Sequence, residues 1–510
     1  VPGALTLTAS TGHFVLLPGS TGLLPGGVSD PAAYIAPSCG TTACIPSIGD
    51  TVVNLQAGYI RLAGRGQGQG GITAPNLADG TLNVSAKWID LQRAIALDNV
   101  ANANFASRSA IRLLSDDYGY VGSLASVPSY AGALVAPGNL TLQAAEIYPV
   151  TGTQFLLAST GTLDSASTLT ILPNGKATAP LSAGGALVVS ARTIDQEGAL
   201  WAPLGNIVLG TPNTLPAALT SLFSNSNPPQ LVATTTTVTL GKGSLTSVSA
   251  AGLDIPYGIT LDDTTWYYGV PTSNNGNVLP PVLTTPPSKS ISLFGSNVTT
   301  QSGAVLDLSG GGDVYATEFV AGNGGSRNVS TSYQQNVTVG TASAPTYSPT
   351  YADGRQVYAL VPAYEASVAA YDPTFAQAPY YSGVTVATGS RATEPGIRPN
   401  AIAPGQTVTI SGGNGIPAGT YVLMPGMYAT LPGAYRVVQV ASNVNPGTTR
   451  SATGADGSQY VVGTLGNGLT GGSSSQSALF QLQSKSVWSK YSRIDITSGT
   501  TFFRNQAIAA

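Results

Sequence analysis

One short phrase constrains this chain more than any other feature: apolar, any, apolar, any, Ala, two of any kind, then Ile. It occurs as Val53-Asn54-Leu55-Gln56-Ala57-Gly58-Tyr59-Ile60, Leu82-Asn83-Val84-Ser85-Ala86-Lys87-Trp88-Ile89, Leu140-Thr141-Leu142-Gln143-Ala144-Ala145-Glu146-Ile147 and Leu187-Val188-Val189-Ser190-Ala191-Arg192-Thr193-Ile194. A period of two marks a half-buried strand, in which one row of side chains enters a core while the Asn, Thr, Gln and Ser between them mostly face water. The Ala marks where the wall crowds or bends, and Gly80, Gly138 and Gly185 place a permissive turn residue ahead of the last three copies.

Further short strands are predicted between the copies, at Gly152-Thr153-Gln154-Phe155-Leu156-Leu157, Ser167-Thr168-Leu169-Thr170-Ile171-Leu172 and Gly205-Asn206-Ile207-Val208-Leu209. A spacing of roughly 15 to 20 residues suits a coil of two or three strands, each coil stacking about 4.8 Å from its predecessor. The expected fold is therefore all-β: a right-handed parallel β-helix, or solenoid, with inserted loops or a small extra-helical lobe. About 20 such coils would give a shaft on the order of 100 Å long. The four copies begin 29, 58 and 47 positions apart, so insertions or skipped coils intervene.

Charge does not keep this chain in solution. Its 510 residues hold only 20 Lys and Arg against 23 Asp and Glu, or 8% charged, where an ordinary domain carries about 25%. Ser, Thr, Asn, Gln and Gly take the surface role, as in Thr234 to Thr237 and Ser473 to Ser475. The net charge of −3 argues against nucleic acid as a partner. A hydrophobic share of 42% is too high for disorder, and 62 Gly and 35 Pro interrupt the chain too often for long helices. There is no apolar run of about 18 residues, so no helical membrane insertion is expected. The start, Val1-Pro2-Gly3-Ala4, has neither an initiator Met nor a signal core, and reads as an internal or processed piece of something longer.

The pattern divides the chain into four stretches. Residues 1–210 read as the amino-terminal part of the shaft, and 211–340 as its continuation with Pro-rich excursions and a short helix at Ala217 to Phe223. Residues 341–400 read as a Tyr- and Pro-rich insertion, and 401–510 as a further continuation of the β-helix. Long insertions of this kind are more often functional than decorative.

Candidate sites are sparse. Cys39 and Cys44 read as a small disulfide loop formed in an oxidising compartment, with two buried thiols as the alternative. The most attractive binding surface is aromatic: Tyr257, Trp266, Tyr267 and Tyr268, with Tyr364, Tyr371, Tyr380 and Tyr381 in the insertion. Flat faces with a polar tip suit sugar stacking or protein contact, and packing of the insertion onto the shaft is the other reading. The acidic doublets Asp116-Asp117 and Asp262-Asp263 make poor acid/base pairs, because neighbours on a strand point to opposite faces. His13 has no nearby Cys or acidic cluster in sequence, and no Gly-x-Ser-x-Gly elbow accompanies it. The Gly-rich run from Gly64 to Gly71 lacks a phosphate loop's Lys-Ser/Thr ending, and Asp307 to Asp313 misses the register of a calcium repeat. The expectation is a non-enzymatic protein without cofactor or metal. Among the sequons, Asn83 and Asn139 belong to the polar rows of their strands.

Three phrases resemble the large filamentous-haemagglutinin-like exoproteins of Gram-negative bacteria, a family of two-partner-secreted adhesins. They are Thr193-Ile194-Asp195-Gln196-Glu197-Gly198-Ala199-Leu200-Trp201-Ala202-Pro203-Leu204-Gly205-Asn206-Ile207, Gly303-Ala304-Val305-Leu306-Asp307-Leu308-Ser309-Gly310-Gly311-Gly312-Asp313-Val314 and Ile416-Pro417-Ala418-Gly419-Thr420-Tyr421-Val422-Leu423-Met424-Pro425-Gly426-Met427-Tyr428. The resemblance implies export through an outer-membrane β-barrel transporter, a secreted or cell-surface location, and roles in attachment, aggregation or biofilm with host or bacterial glycans or proteins as partners. The family's Asn-Pro-Asn secretion motif is not found here; Leu172-Pro173-Asn174-Gly175 is an ordinary turn. A self-assembling subunit of an extracellular filament, joined end to end, is the alternative function, and a polysaccharide-active β-helix enzyme a remote one.

Overall fold

The computed structural model describes residues 4–16, 24–25, 51–66, 71–115, 130–161, 167–212, 214–223, 234–267, 282–320, 329, 333–336, 346–349, 357–362, 406–412, 416–444, 452–470, 472–490 and 492–509. Cys39, Cys44, Asp116, Asp117, Tyr268, Tyr364, Tyr371, Tyr380 and Tyr381 lie outside them. The chain is all-β, with α-helices among the described residues only at Ala217–Thr220, Lys485–Trp488 and Gly499–Ala509 and a 3-10 helix at Gly426–Thr430. It forms two compact units: residues 1–116, 129–249 and 287–310 make the first, and 117–128, 250–286 and 311–510 the second. This division replaces the expected boundaries near 210, 340 and 400.

Three eight-stranded sheets build the first unit, and all strand pairs in them are parallel except one hairpin, His13–Val15 with Leu24–Pro25. The chain visits the sheets in rotation. Gly80–Ala86 lies in the third sheet, Trp88–Gln92 in the first and Ala94–Asp98 in the second, after which Val100–Ser107 returns to the third beside Gly80–Ala86. Two of these corners turn on a single left-handed residue, Arg93 and Asn99, each at φ 65°. Asn accepts that conformation readily, whereas Arg does so only where its surroundings enforce it.

The repeated phrase is one such corner. Val53 pairs with Leu82 and Leu55 with Val84 in the third sheet, while Ile60 pairs with Ile89 in the first, so the Ala between them sits where the chain leaves one wall for the next. Between the second and third copies lies a disguised circuit: Ala103 and Phe105 pair with both Leu82/Val84 and Leu140/Leu142. The fourth copy occupies a different corner, with Leu187 in the second sheet beside Phe155 and Ile194 in the third beside Leu169. The pattern therefore encodes a bend, and any of the corners can use it. Neither Gly138 nor Gly185 has positive φ. A Cβ at Gly138 would meet the Ala101 carbonyl oxygen at 2.1 Å, so this glycine permits close approach of the preceding circuit and is not needed as a turn.

Most neighbouring circuits are longer than the expected 15 to 20 residues, although Ala186 and Asn206 pair only 20 apart. Bonded rungs lie 21 residues apart at Asn83 and Asn104, 37 at Asn102 and Asn139, and 60 at Ser247 and Asp307. Eight strands per sheet at about 4.8 Å give a stack on the order of 34 Å, about a third of the length expected from 20 coils. The short estimate of the coil came from counting strands whose intervening excursions carry no alternation.

Inside the stack, Val53, Leu82, Ala103, Leu140, Leu169, Ile194 and Val238 form one continuous row with no exposed surface. The outer faces differ. The third sheet carries a polar ladder in which Asn104 Nδ2 donates to Asn83 Oδ1 and Asn83 Nδ2 to Asn54 Oδ1, both at 2.9 Å. The second sheet is lined by Ala94, Ala96, Ala131, Ala133, Ala158 and Val188, covered by Leu219, Leu222 and Phe223 from the excursion around the short helix. Strands buried on both sides read as continuous apolar runs, which is why Ala94-Ile95-Ala96-Leu97 shows no alternation.

The first sheet buries charge. Arg112 donates from Nε to Asp90 Oδ1 at 2.7 Å and from Nη2 to Oδ2 at 2.6 Å, and the Tyr59 hydroxyl adds a bond to Oδ2 at 2.5 Å. Both ionic side chains have no exposed surface, and the guanidinium lies 5.9 Å from the Trp88 ring centroid.

The second unit pairs differently. An eight-stranded antiparallel sheet contains Val357–Leu360, Gln406–Ile410, Gly419–Val422, Tyr435–Val444, Gln459–Asn467 and Ser473–Ser484. This corrects the expectation that residues 401–510 continue a parallel stack. Period-two alternation is the same in both sheet types, so only the connections separate them. A hairpin signal stands in the sequence at Gly454-Ala455-Asp456-Gly457-Ser458, where Gly454 N donates to Ser458 O at 2.7 Å and Asp456 accepts from Ser458 N at 2.9 Å. The five-stranded sheet of this unit runs Val282–Leu283, Thr265–Tyr267, Asp254–Leu261, Asp313–Phe319, Ile494–Ser498, with only the pair Asp254–Leu261 and Asp313–Phe319 parallel.

Candidate binding site

The described aromatic candidates are buried. Trp266 has no exposed surface, and Tyr257 and Tyr267 have 6% each. Trp266 packs edge-on to Phe502 at 5.3 Å and tilted against Phe503 at 5.1 Å, while its Nε1 donates to the Tyr257 carbonyl at 2.7 Å. That bond needs Gly258. At φ 97° it breaks the register of its strand, and a Cβ there would meet Tyr267 O at 2.2 Å and Trp266 Nε1 at 3.0 Å. The Trp266 ring is thus part of a core, and what it supports is the final helix, Gly499–Ala509.

A cavity of about 580 Å³ opens beside that core, lined by Asp263, Thr264, Ile496, Thr497, Ser498, Thr501, Phe502 and Asn505. Asp262 and Asp263, at φ 51° and 52°, are the central residues of the turn joining Asp254–Leu261 to Thr265–Tyr267. Thr264 N closes it on Leu261 O at 3.0 Å. Two left-handed residues make a type I′ turn, where Asn-Gly is the usual pair and Asp is tolerated. Glu318 on the adjacent strand accepts from the N–H groups of Asp262 at 2.8 Å and Asp263 at 3.3 Å. Asp263 Oδ1 accepts from the Thr497 hydroxyl at 2.7 Å, which aims its carboxylate along the cavity wall. The acidic doublet is therefore turn chemistry with one carboxylate turned toward a cavity.

Asp313, on the strand beside this turn's own, anchors the helix. Its Oδ1 accepts from Thr500 N at 3.0 Å and Thr500 Oγ1 at 3.1 Å, and Oδ2 from Ser498 Oγ. A carboxylate at a helix start satisfies donors that have no partner within the helix and complements its dipole.

In the first unit, His13 has partners that sequence proximity hid. Thr73 N donates to Nε2 at 3.4 Å, so Nδ1 carries the proton and donates to Asp98 Oδ2 at 2.6 Å. Asp98 Oδ1 accepts from Asn76 N at 2.8 Å, and the Thr73 hydroxyl lies 3.2 Å from Nε2. These residues stand 60 and 85 positions from His13. The arrangement ties residues 73–76 to the second sheet. Glu146, buried on the first sheet, has its carboxyl pushed up to about 7 by loss of hydration, with the Thr178 N–H acting in the opposite direction. Among the described residues no group of three or more His, Cys, Asp or Glu is placed to hold a metal ion, and no helix is long and apolar enough to cross a membrane.

The three sheets of the first unit end together, on Ser290–Leu293, Asn297–Thr300 and Val305–Asp307. There Phe294, Val298, Val305, Leu306 and Leu308 are 39 to 49% exposed. Comparison with known protein families, with curated proteins and with solved structures gives no match.

Proposed function

We propose that the chain is a segment of a secreted cell-surface adhesin, in which the first unit is a right-handed parallel β-helix that supplies stiffness and the second unit presents a contact surface. The observation that carries this reading is the rotation of the chain through three parallel sheets around one unbroken apolar row. Such a body gains rigidity from repetition. Its most site-like polar cluster, Asp90 with Arg112 and Tyr59, has both carboxylate oxygens engaged and no exposed surface, which suits a pin in the wall better than a reacting group. The uncharged Asn and Thr ladder on the third sheet suits a molecule kept in solution outside the cell by hydroxyls and amides. In this reading the parent protein leaves a Gram-negative cell through an outer-membrane β-barrel transporter, and its partners are glycans or proteins of host or bacterial surfaces.

The test is binding of the fluorescently labelled chain to host and bacterial cells, with aggregation of beads that display it as a second readout. Saturable binding or aggregation supports the adhesin reading, and the absence of both against a broad panel of cells sinks it.

A filament subunit is the second reading, favoured by the exposed apolar residues where the three sheets end. Unpaired parallel edges with little charge invite strand addition. Electron microscopy over a concentration series distinguishes the two: uniform filaments support the subunit, and isolated particles at all concentrations exclude it.

A further inference from the structure

We propose that the outer face of the third sheet binds ice, presenting a regular lattice of Thr and Asn side chains to ordered water. Two outward files alternate with the inward rows of this sheet. The first file runs through Thr81, Asn102, Asn139, Thr168, Thr193 and Thr237, each placed against the next by the register. The second runs through Asn83, Asn104, Thr141, Thr170, Asp195 and Thr239 in the same way. Val52 and Asn54 begin the files, and Asn297 and Thr299 end them. All of these residues are half-buried or exposed, and every one except Val52 and Asp195 is Thr or Asn.

The spacing sets the class of partner. Neighbouring rungs lie about 4.8 Å apart, and successive outward residues of one strand about 6.6 Å apart. Both distances are near the repeats of water oxygens on a prism face of hexagonal ice. A face built as a sheet offers no concavity to enclose a small ligand, so its partner must itself be extended and repeating. Neither file holds an aromatic ring of the kind that stacks on sugars. Thr supplies a hydroxyl that both donates and accepts, with a methyl fixed beside it because a β-branched side chain is stiff at χ1. The Asn side chains are pinned by the ladder. Asn139 Nδ2 donates to Asn102 Oδ1 at 3.2 Å and Thr168 N to Asn139 Oδ1 at 3.1 Å, continuing the bonds among Asn54, Asn83 and Asn104. Groups already held in place lose little entropy when a lattice forms on them, and side-chain ladders are one of the devices that keep a sheet flat over many strands.

Charge is kept to the rim. Asp79 and Arg192 stand just before their strands, Lys87, Arg108, Glu197 and Lys242 just after theirs, and Lys176 lies beyond the strand that ends at Pro173. Within the files only Asp195 is charged. An ionised group organises water around itself and not into the lattice, so this one residue is the defect in an otherwise uncharged array. The face acts on water whether or not the chain adheres to cells, and the two readings fail separately.

The experiment measures thermal hysteresis and the shape of growing ice crystals with the full chain, together with its uptake into slowly grown, seeded ice. The expected result is a hysteresis gap, faceted crystals and enrichment of the chain in the ice. Thr141→Tyr and Thr170→Tyr, in the middle of the second file, should abolish all three with the melting temperature unchanged. Thr420→Tyr, at an exposed position of the antiparallel sheet in the second unit, should leave them intact. Asp195→Thr completes the file and should widen the gap, a gain that a face serving only to solvate the wall would not give. Exclusion of the chain from ice with unfaceted crystals overturns the proposal, as does activity that survives both tyrosine substitutions. Binding to cellulose or chitin powder that the tyrosines remove, without any effect on ice, also overturns it and makes the face a polysaccharide platform. If the tyrosine variants melt lower, Asp195→Thr decides: a wider gap supports the ice face, and an unchanged or narrower one removes it.

Discussion

The two units of this chain solve the problem of burying strands in opposite ways. In the first, every strand except the hairpin strand Leu24–Pro25 finds its partners one circuit away, and the core is a file of mostly Leu, Val, Ile and Ala repeated from rung to rung. In the second, strands reach 12 residues in Ser473–Ser484 and pair antiparallel except Asp254–Leu261 with Asp313–Phe319. Aromatic residues such as Tyr358, Tyr421 and Phe480 fill their core. A repeated rung can be weakened without altering the distant ones, whereas a hairpin sheet closes as a unit. Damage should therefore travel differently in the two.

The sharpest way to break that comparison uses two substitutions of similar cost. Asp90→Ala removes the carboxylate that pairs with the buried Arg112 and should cost about 3 to 5 kcal/mol. Trp266→Ala opens a cavity against Phe502 and Phe503 and should cost a similar amount, about 3 to 5 kcal/mol. Hydrogen exchange should show the first loss confined to circuits near Trp88–Gln92 and Ala110–Leu114, and the second spread over the whole five-stranded sheet and final helix. Equal spread in both would remove the distinction.

A second substitution asks whether the buried pair of the first unit adds stability or only specificity. Replacing Asp90 and Arg112 together by Leu and Met should be neutral or stabilising by about 1 to 4 kcal/mol, provided the side chains fill the same volume. Denaturant unfolding measures it. A double variant as unstable as Asp90→Ala would show that the wall depends on the ion pair itself.

Much of the first unit was legible in the sequence because its corners reuse one phrase, and because Asn83 and Asn139 repeat at ladder positions. The circuit through Ala103 and Phe105 was hidden, since Ala103 is small and Ser107 replaces the corner Ala. Ser107 Oγ donates at that corner to Lys87 O at 2.8 Å and Ala110 O at 2.9 Å, doing with hydrogen bonds what the smaller residue does elsewhere. The second unit was misread because alternation is common to parallel and antiparallel strands, and its hairpin loops were the only evidence. The cavity was not legible at all: Asp263 and Phe502 both line it from distant parts of the sequence, and no local pattern joins them.

Titration gives a smaller effect, and one peculiar to the first unit. The Glu146 carboxyl, raised from 4.5 to about 7, favours the protonated form when folded. Its contribution is fully present below pH 4.5 and is lost as pH rises through about 7. The melting temperature should fall between pH 5 and pH 8, and Glu146→Gln should flatten that part of the profile. A slope unchanged in the variant would assign the effect to other groups.

The smallest expected effect is on the ladder. Asn83→Ala removes two side-chain bonds on an exposed face, and should cost about 0.5 to 1.5 kcal/mol. Asn54→Ala removes one and should cost less. Thermal unfolding of the two variants, side by side, tests whether a middle rung matters more than an end one.

The unequal circuits have a consequence for how such a chain can change over time. Because rung-to-rung pairing fixes the register, the 21 residues of one circuit and the 60 of another place their strands equally well. Loop-closure entropy grows only logarithmically, by about 0.6 kcal/mol for each doubling of length. New material can therefore enter at a corner and be remodelled there while the file of Leu, Val and Ile behind it remains untouched. Selection is free to rewrite what the molecule shows to the outside world without renegotiating how it folds.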